Sequence, residues 1–262
     1  MRLKAILFDL DGTLVDSAAD LRDALNAVLA EEGLARLDLQ AVKGMVGDGV
    51  AKLVERGLTA RGAGLDRLPA RVARFMELYE PNAARLTRPY PLVAETLESL
   101  RLRGLRLAVV TNKPHAATMR ILGALDLARF FDAVVGGDTL GRRKPDPAPL
   151  LHAMRALDAA PAETLMVGDN HHDVAAARAA GVPVAVVAYG YSRRPAAELG
   201  ADWVLDSFAA LRGSWTVRSP AMIRGRAPQV PSTDAVQAAR ASRRSRLTSA
   251  SFRPDRAGTW KE

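Results

Sequence analysis

Six short runs of apolar, largely β-branched residues punctuate the chain: Ala5–Phe8, Leu105–Thr111, Ala133–Val135, Leu165–Val167, Val184–Val187 and Trp203–Leu205. Each predicts a strand buried on both faces, because apolar side chains stand at successive positions and not only at alternate ones. From Pro91 onward, apolar residues recur at helical spacing over Leu92–Leu102, Ala116–Leu125, Pro147–Leu157 and Asp173–Ala180. These segments predict helices between the strands. Such alternation builds a parallel sheet covered on both sides through right-handed crossovers. The expected fold class is therefore α/β, a Rossmann-like doubly wound sheet.

The first and second runs lie much further apart than one crossover requires, and long structureless loops are uncommon in compact domains. An insert is expected there. Leu21, Leu25, Val28 and Leu29 share one helical face, as do Val50, Leu53 and Val54, and again Val72, Phe75, Met76 and Tyr79. These stripes predict a helical cap over residues 17–87, with core packing as their role. The α/β unit then comprises residues 1–16 and 88–213.

Beyond residue 213, Ser, Arg, Pro and Ala dominate without a sustained apolar period, so residues 214–262 are expected to be a disordered tail. The tail also accounts for most of the net charge of +8. It holds 10 Arg and Lys against 3 Asp and Glu, leaving 27 against 26 upstream. A nucleic-acid arm built on Arg240, Arg243, Arg244 and Arg246 is disfavoured, because Trp215, Phe252 and Trp260 are too scattered to stack bases. The absence of cysteine excludes disulfides, thiolate metal sites and a cysteine nucleophile. Ala5–Phe8 is too short for a signal-peptide core or a membrane span. A cytoplasmic location without membrane attachment is expected.

The candidate chemistry lies at the ends of predicted strands. Asp9-Leu10-Asp11-Gly12-Thr13 follows the first strand, and residues two apart in extended chain point the same way. Two carboxylates can thus face one ligand, Asp9 to attack a phosphate ester and Asp11 to supply a proton. Thr111-Asn112 follows the second strand and offers hydroxyl, amide and backbone groups to phosphate oxygens. Lys144-Pro145 precedes the helix near Pro147 and supplies a cation. Gly168-Asp169 follows Leu165–Val167, with Asp173 four residues later. Each element alone reads as an ordinary turn or cap. Together they lie on the edge where open α/β sheets bind ligands. Asp9, Asp169 and Asp173 offer the hard oxygen donors that suit Mg²⁺. His171 and His172 lie inside the last element, but solvent-facing or capping roles are expected for them. No Gly-Lys-Ser or Gly-Lys-Thr follows the glycines at 136, 137 and 141, so a nucleotide-binding loop is not expected.

This set resembles the haloacid dehalogenase superfamily, whose phosphatases carry Asp-x-Asp-Gly-Thr, a Thr or Ser after the second strand, a Lys, and Gly-Asp with a following Asp. The resemblance implies that Asp9 forms an aspartyl-phosphate and that Asp11 protonates the leaving group and then activates water. It further implies Thr111 and Asn112 on the phosphate and Lys144 bridging nucleophile and phosphate. Mg²⁺ would be held by Asp9, the Asp11 carbonyl, Asp169 and Asp173.

Over most of residues 1–211 the chain is similar to bacterial phosphoglycolate phosphatases. The segments that carry this are Leu14-Val15-Asp16-Ser17, Val46-Gly47-Asp48-Gly49 with Glu55-Arg56, Val110-Thr111-Asn112-Lys113-Pro114, Gly136-Gly137-Asp138 and Tyr189-Gly190-Tyr191. Asp48 and Ser192 stand where that pattern more often has Asn. The similarity implies hydrolysis of 2-phosphoglycolate under a cap that presents Gly47, Asp48 and Gly49, with Arg56 or Lys52 receiving the second anion. Phosphatases of sugar or amino-sugar phosphates and phosphomutases would use the same catalytic groups. A dehalogenase would have no use for Asp11 or Mg²⁺. The expected partner is a small phosphorylated metabolite, and the expected state a monomer or homodimer.

Overall fold

A computed structural model of the chain describes residues 3–213. The tail expected to be disordered lies outside the described residues. In chain order the elements are β1 (Ala5–Phe8), β2 (Val15–Asp16), α1 (Ala18–Glu31), α2 (Leu39–Lys43), α3 (Val50–Thr59), α4 (Leu68–Tyr79), β3 (Arg88–Pro89) and α5 (Val93–Leu102). There follow β4 (Arg106–Val110), α6 (His115–Ala124), β5 (Ala133–Val135), α7 (Ala148–Ala156), β6 (Thr164–Gly168), α8 (His171–Ala179), β7 (Val184–Val187) and β8 (Trp203–Leu205). All six expected strands form, and the four helices expected after Pro91 form within a few residues of their expected ends.

The six long-range strands make one parallel sheet in the order β5-β4-β1-β6-β7-β8. Counted within this sheet alone the order is 3-2-1-4-5-6, the doubly wound arrangement. The chain leaves β1 first toward β4 and later returns to β6 on its other side. The carboxyl ends of β1, β4 and β6 therefore flank the crevice where the connections diverge.

Side-chain alternation explains the burial on both faces. Ile6, Phe8, Leu107, Val109, Leu165 and Val167 pack into one core. Ala5, Leu7, Ala108, Val110, Met166 and Val184 pack into the other. Phe8 is fully buried, with its ring centroid 5.5 Å from that of Phe208.

The helical insert begins after β1, as α1 to α4, and a short antiparallel ladder that the pattern did not reveal closes its neck. Val15 pairs with Pro89, and Asp16 with Arg88. Two-residue strands carry no periodicity, which is why they are invisible in sequence. Within the insert, α4 packs on α1 and α3 around Leu25, Leu29, Val54, Leu58 and Phe75. Gly57 permits the approach of α3 to α1, since a Cβ there would meet the Leu25 side chain at 2.8 Å. The buried Asn26 accepts from Leu37 N at 2.7 Å and donates to Leu37 O at 2.9 Å, fixing the loop after α1.

Asp20, buried in the first turn of α1, ties the two ends of the insert together. Its carboxylate accepts from Leu86 N, Thr87 N and Thr87 Oγ1, the last two at 2.8 Å. Removing it leaves the buried Thr87 amide without its acceptor. Asp20→Ala is expected to destabilise the protein by about 3 kcal/mol in urea denaturation, since charged hydrogen bonds and orphaned donors each contribute roughly 1–3 kcal/mol.

Candidate active site

Asp9 is the first residue beyond β1, and its backbone N–H donates to Val167 O at 2.9 Å, so the nucleophile candidate is locked to the end of β6. Its carboxylate is 6% exposed, and Lys144 Nζ lies 2.9 Å from Oδ1. The same ammonium donates to Asp173 Oδ1 at 2.7 Å. Lys144 is thus not the cation at the mouth of a helix that its turn context suggested. It is buried between two carboxylates.

Asp173 is fully buried, and its other oxygen accepts from Asp169 N and Asn170 N, both at 3.1 Å. These bonds hold the turn after β6 against the first turn of α8 as part of a capping box with Asn170. Asp169 Oδ2 accepts from Tyr191 N at 2.6 Å and Oδ1 from Asn170 Nδ2 at 2.9 Å. The Asp169 carboxylate sits where a Cβ on Gly12 or Gly190 would intrude, and Gly12 has φ +84° besides. Both positions need glycine for the close approach.

One oxygen from each of Asp9, Asp169 and Asp173 lies within 4.8 Å of the others. Burial pushes the Asp9 carboxyl up to about 6, and Asp173 and Asp11 add to the rise while Lys144 opposes it. Burial, Asp173 and Asp9 hold Asp169 well above the ordinary carboxylate range. Four carboxylates, those of Asp9, Asp11, Asp169 and Asp173, face two ammonium groups, those of Lys113 and Lys144. A divalent cation among hard oxygen donors would offset the remaining charge and lower these pKa values, so the residues fit a metal of that class.

Asp11 is set differently. Lys113 Nζ donates to both its oxygens, at 2.9 and 2.8 Å, and Ser17 Oγ donates to Oδ1 at 2.5 Å. Ser17 caps α1 by position, yet its hydroxyl is turned to Asp11 and makes no capping bond. Sequence reasoning gave Lys113 no role, although it directly follows Thr111-Asn112. Thr111 is buried and its hydroxyl accepts from Lys113 N at 3.2 Å. The Asn112 side-chain amide donates to Gly47 O and Lys144 O, each at 2.9 Å, and its Oδ1 is buried without a partner among the described residues. Asn112 therefore ties the insert to the sheet edge.

A cavity of about 260 Å³ lies between this edge and the insert. Asp9, Asp11, Thr111, Asn112, Lys113 and Asp169 line it from the sheet, and Gly47, Asp48, Gly49 and Arg56 line it from the insert. Leu21, Val50 and Leu53 also line it, Leu21 and Leu53 as buried members of the core and Val50 packed against them. Lys52 does not belong to the lining; it pairs with Glu55 on the surface. Arg56 Nη2 lies 2.5 Å from Asp48 Oδ2, and Arg56 Nη1 donates to Met45 O at 2.9 Å. His172 is buried, not solvent-facing, with Nε2 2.5 Å from Asp48 Oδ1. Burial pushes its imidazole below the ordinary histidine value. His171 remains exposed.

The model of the haloacid dehalogenase-like hydrolase family matches residues 6–187. The chain belongs to this family. A Rhodospirillum rubrum protein named phosphoglycolate phosphatase is 50% identical over 218 residues, covering 81% of this chain and 90% of its own length. A Nitrosospira multiformis protein of the same name is 45% identical over 212 residues, covering 78% of this chain and 92% of its own. A crystal structure described as a predicted phosphoglycolate phosphatase from Haemophilus somnus superposes with a TM-score of 0.77 at 35% identity, covering 80% of this chain and 97% of its own.

The haloacid dehalogenase fold thus sets three carboxylates around one position, and the glycines beside Asp169 are part of that arrangement. Gly190→Ala should push Asp169 away while leaving the sheet intact. Titration calorimetry with a divalent cation is expected to show affinity reduced by about 10- to 100-fold, the range typical when groups that orient metal ligands are disturbed.

Proposed function

We propose that the chain is a Mg²⁺-dependent phosphomonoesterase that converts 2-phosphoglycolate to glycolate and phosphate. The observation that carries this reading is the pairing of Asp9 with Lys144 at the switch point, with Asp11 two residues on at the same cavity. The names of the relatives support the substrate. In this reading residues 1–16 and 88–213 form the catalytic unit, residues 17–87 form the cap, and the enzyme acts in the cytoplasm as a monomer or homodimer.

The residues divide the work by position. Asp9 attacks phosphorus, and the bond to the leaving oxygen breaks as the aspartyl-phosphate forms. Asp11 gives that oxygen its proton. It then takes a proton from the water that attacks the aspartyl-phosphate, which releases phosphate and restores Asp9. Lys144 stays beside Asp9 throughout and offsets the charge of the phosphoryl group. Thr111 offers its hydroxyl to a phosphate oxygen, while Asn112 places the Gly47 loop over the site. Asp9, Asp169 and the Asp11 carbonyl would hold Mg²⁺, which when bound supplies positive charge between nucleophile and phosphate. Both oxygens of Asp173 are engaged, so its part in such a site would be to fix Lys144 and the Asp169 turn. Gly47, Asp48, Gly49 and Arg56 enclose the leaving group from the cap side.

Turnover of a panel of phosphomonoesters by the purified protein tests the assignment. 2-Phosphoglycolate is expected to exceed sugar phosphates and an amino-sugar phosphate in kcat/KM; a competitor preferred by tenfold or more, roughly 1.4 kcal/mol, would reject the substrate and keep the mechanism. Asp9→Asn should be nearly inactive, and Asp11→Asn should lose about 10²- to 10⁴-fold in kcat. Chelation should abolish turnover and added Mg²⁺ restore it. Retention of full activity in excess chelator would remove the metal from the scheme.

A further inference from the structure

A phosphatase that selects a carboxylated leaving group needs a cation close to the oxygen that departs. In 2-phosphoglycolate the carboxylate carbon is two bonds from that oxygen, so its oxygens lie only about 3 Å away. The cation must therefore sit beside the proton donor and not at the cavity mouth. The insert's Arg56 is held by Asp48 and Met45 O. Lys144 is held by Asp9 and Asp173. Arg193 donates to Gly44 O, and Arg194 to Glu198 O at 3.0 Å.

Lys113 differs from all of these. Its ammonium touches both oxygens of Asp11, lines the cavity, and is buried, with a side chain 3% exposed. An ammonium has three donors; Asp11 takes two, and the third is left on the side of the Tyr79 phenol, whereas Lys144 is shared between two separate carboxylates. The Tyr79 ring of α4 stands 5.0 Å from Nζ and closes the side toward the insert. Its buried hydroxyl interacts with the same ammonium and has no closer hydrogen-bond partner among the described residues. An anion entering beside Asp11 would thus meet a desolvated cation whose third N–H faces only a neutral phenol, a weaker acceptor than a carboxylate, so a charge-assisted hydrogen bond there is favoured.

We propose that Lys113 is the specificity-determining residue that receives the carboxylate of the leaving group, a role for which the sequence offers Arg56 or Lys52. The inference rests on the phosphoglycolate reading above. Lys113 shares its ammonium between Asp11 and the substrate carboxylate, so it aligns the leaving oxygen with the proton donor as it binds the second anion. Phosphomonoesters of the same size without that charge gain only the contact with Asp11 already present.

The test measures kcat/KM of the full chain with Mg²⁺ on 2-phosphoglycolate and on ethyl phosphate, which has the same length without the carboxylate. Wild type is compared with Lys113→Met, Lys113→Gln, Lys113→Arg and Arg56→Gln, each checked for fold by circular dichroism. The ratio of the two values cancels any harm done through Asp11, which acts on both substrates. The wild-type ratio should favour 2-phosphoglycolate, fall by about tenfold or more in Lys113→Met, and largely return in Lys113→Arg. Arg56→Gln should keep it. If Lys113→Met does not fold, Lys113→Gln reads the same loss while keeping a hydrogen-bonding end. Equal falls on both substrates, or a ratio lost in Arg56→Gln instead, would overturn the role of Lys113 and leave the substrate assignment standing. A wild-type enzyme indifferent to the carboxylate would overturn both.

Discussion

Four carboxylates crowded against two buried ammonium groups at the end of β1 are the constraint to which the surrounding structure answers. Like charges in a low-dielectric setting repel strongly, and a buried charge without a partner is costly. Three of the four are accordingly held by several donors, and Asp9 is paired with Lys144. Asp173 is fixed by Lys144 and two backbone amides, Asp169 by Tyr191 N and Asn170, and Asp11 by Lys113 and Ser17. A charge-rich site of this kind is a poor source of stability. Its rigidity comes from the two apolar layers that the sheet buries behind it.

The topology supplies the place for that crowding. Because β1 is central, its carboxyl end is flanked by those of β4 and β6, and four stretches remote in sequence converge there. The backbone bond from Asp9 N to Val167 O and that from Thr111 N to Val135 O continue the strand ladders right up to the reacting groups. Side chains carried so close to regular strands are held more tightly than loop residues would be.

Polar contacts join the insert to this edge beside the apolar cluster that unites Phe8, Leu10 and Leu14 with Leu21, Leu25 and Phe75. Asn112 reaches Gly47, His172 meets Asp48, Lys43 pairs with Asp16, and the Tyr191 hydroxyl receives the Ser17 and Ala18 amides while donating to Asp16. Tyr191 thus spans from the Asp169 carboxylate, through its backbone, to the start of the insert, through its side chain.

The sequence by itself determined the strands, the later helices, the site of the insert and the four elements of the candidate site, because these are written in local pattern. Apolar runs and helical spacing report burial over a few residues, and Asp9 and Asp11 share a direction because extended chain alternates. What only the tertiary structure decided were pairings between distant residues. Lys113 reads as a turn residue until β1 and β4 are set side by side and bring its ammonium onto Asp11. The tie from Asn112 to Gly47 likewise forms only once the insert folds over it. His172 becomes buried only when Asp48 is brought down upon it, and Leu21, Val50 and Leu53 become a cavity wall only where the helical stripes meet the sheet edge. Periodicity specifies which face of an element is covered, but the identity of the covering group is a property of two elements together, and no one-dimensional pattern contains it.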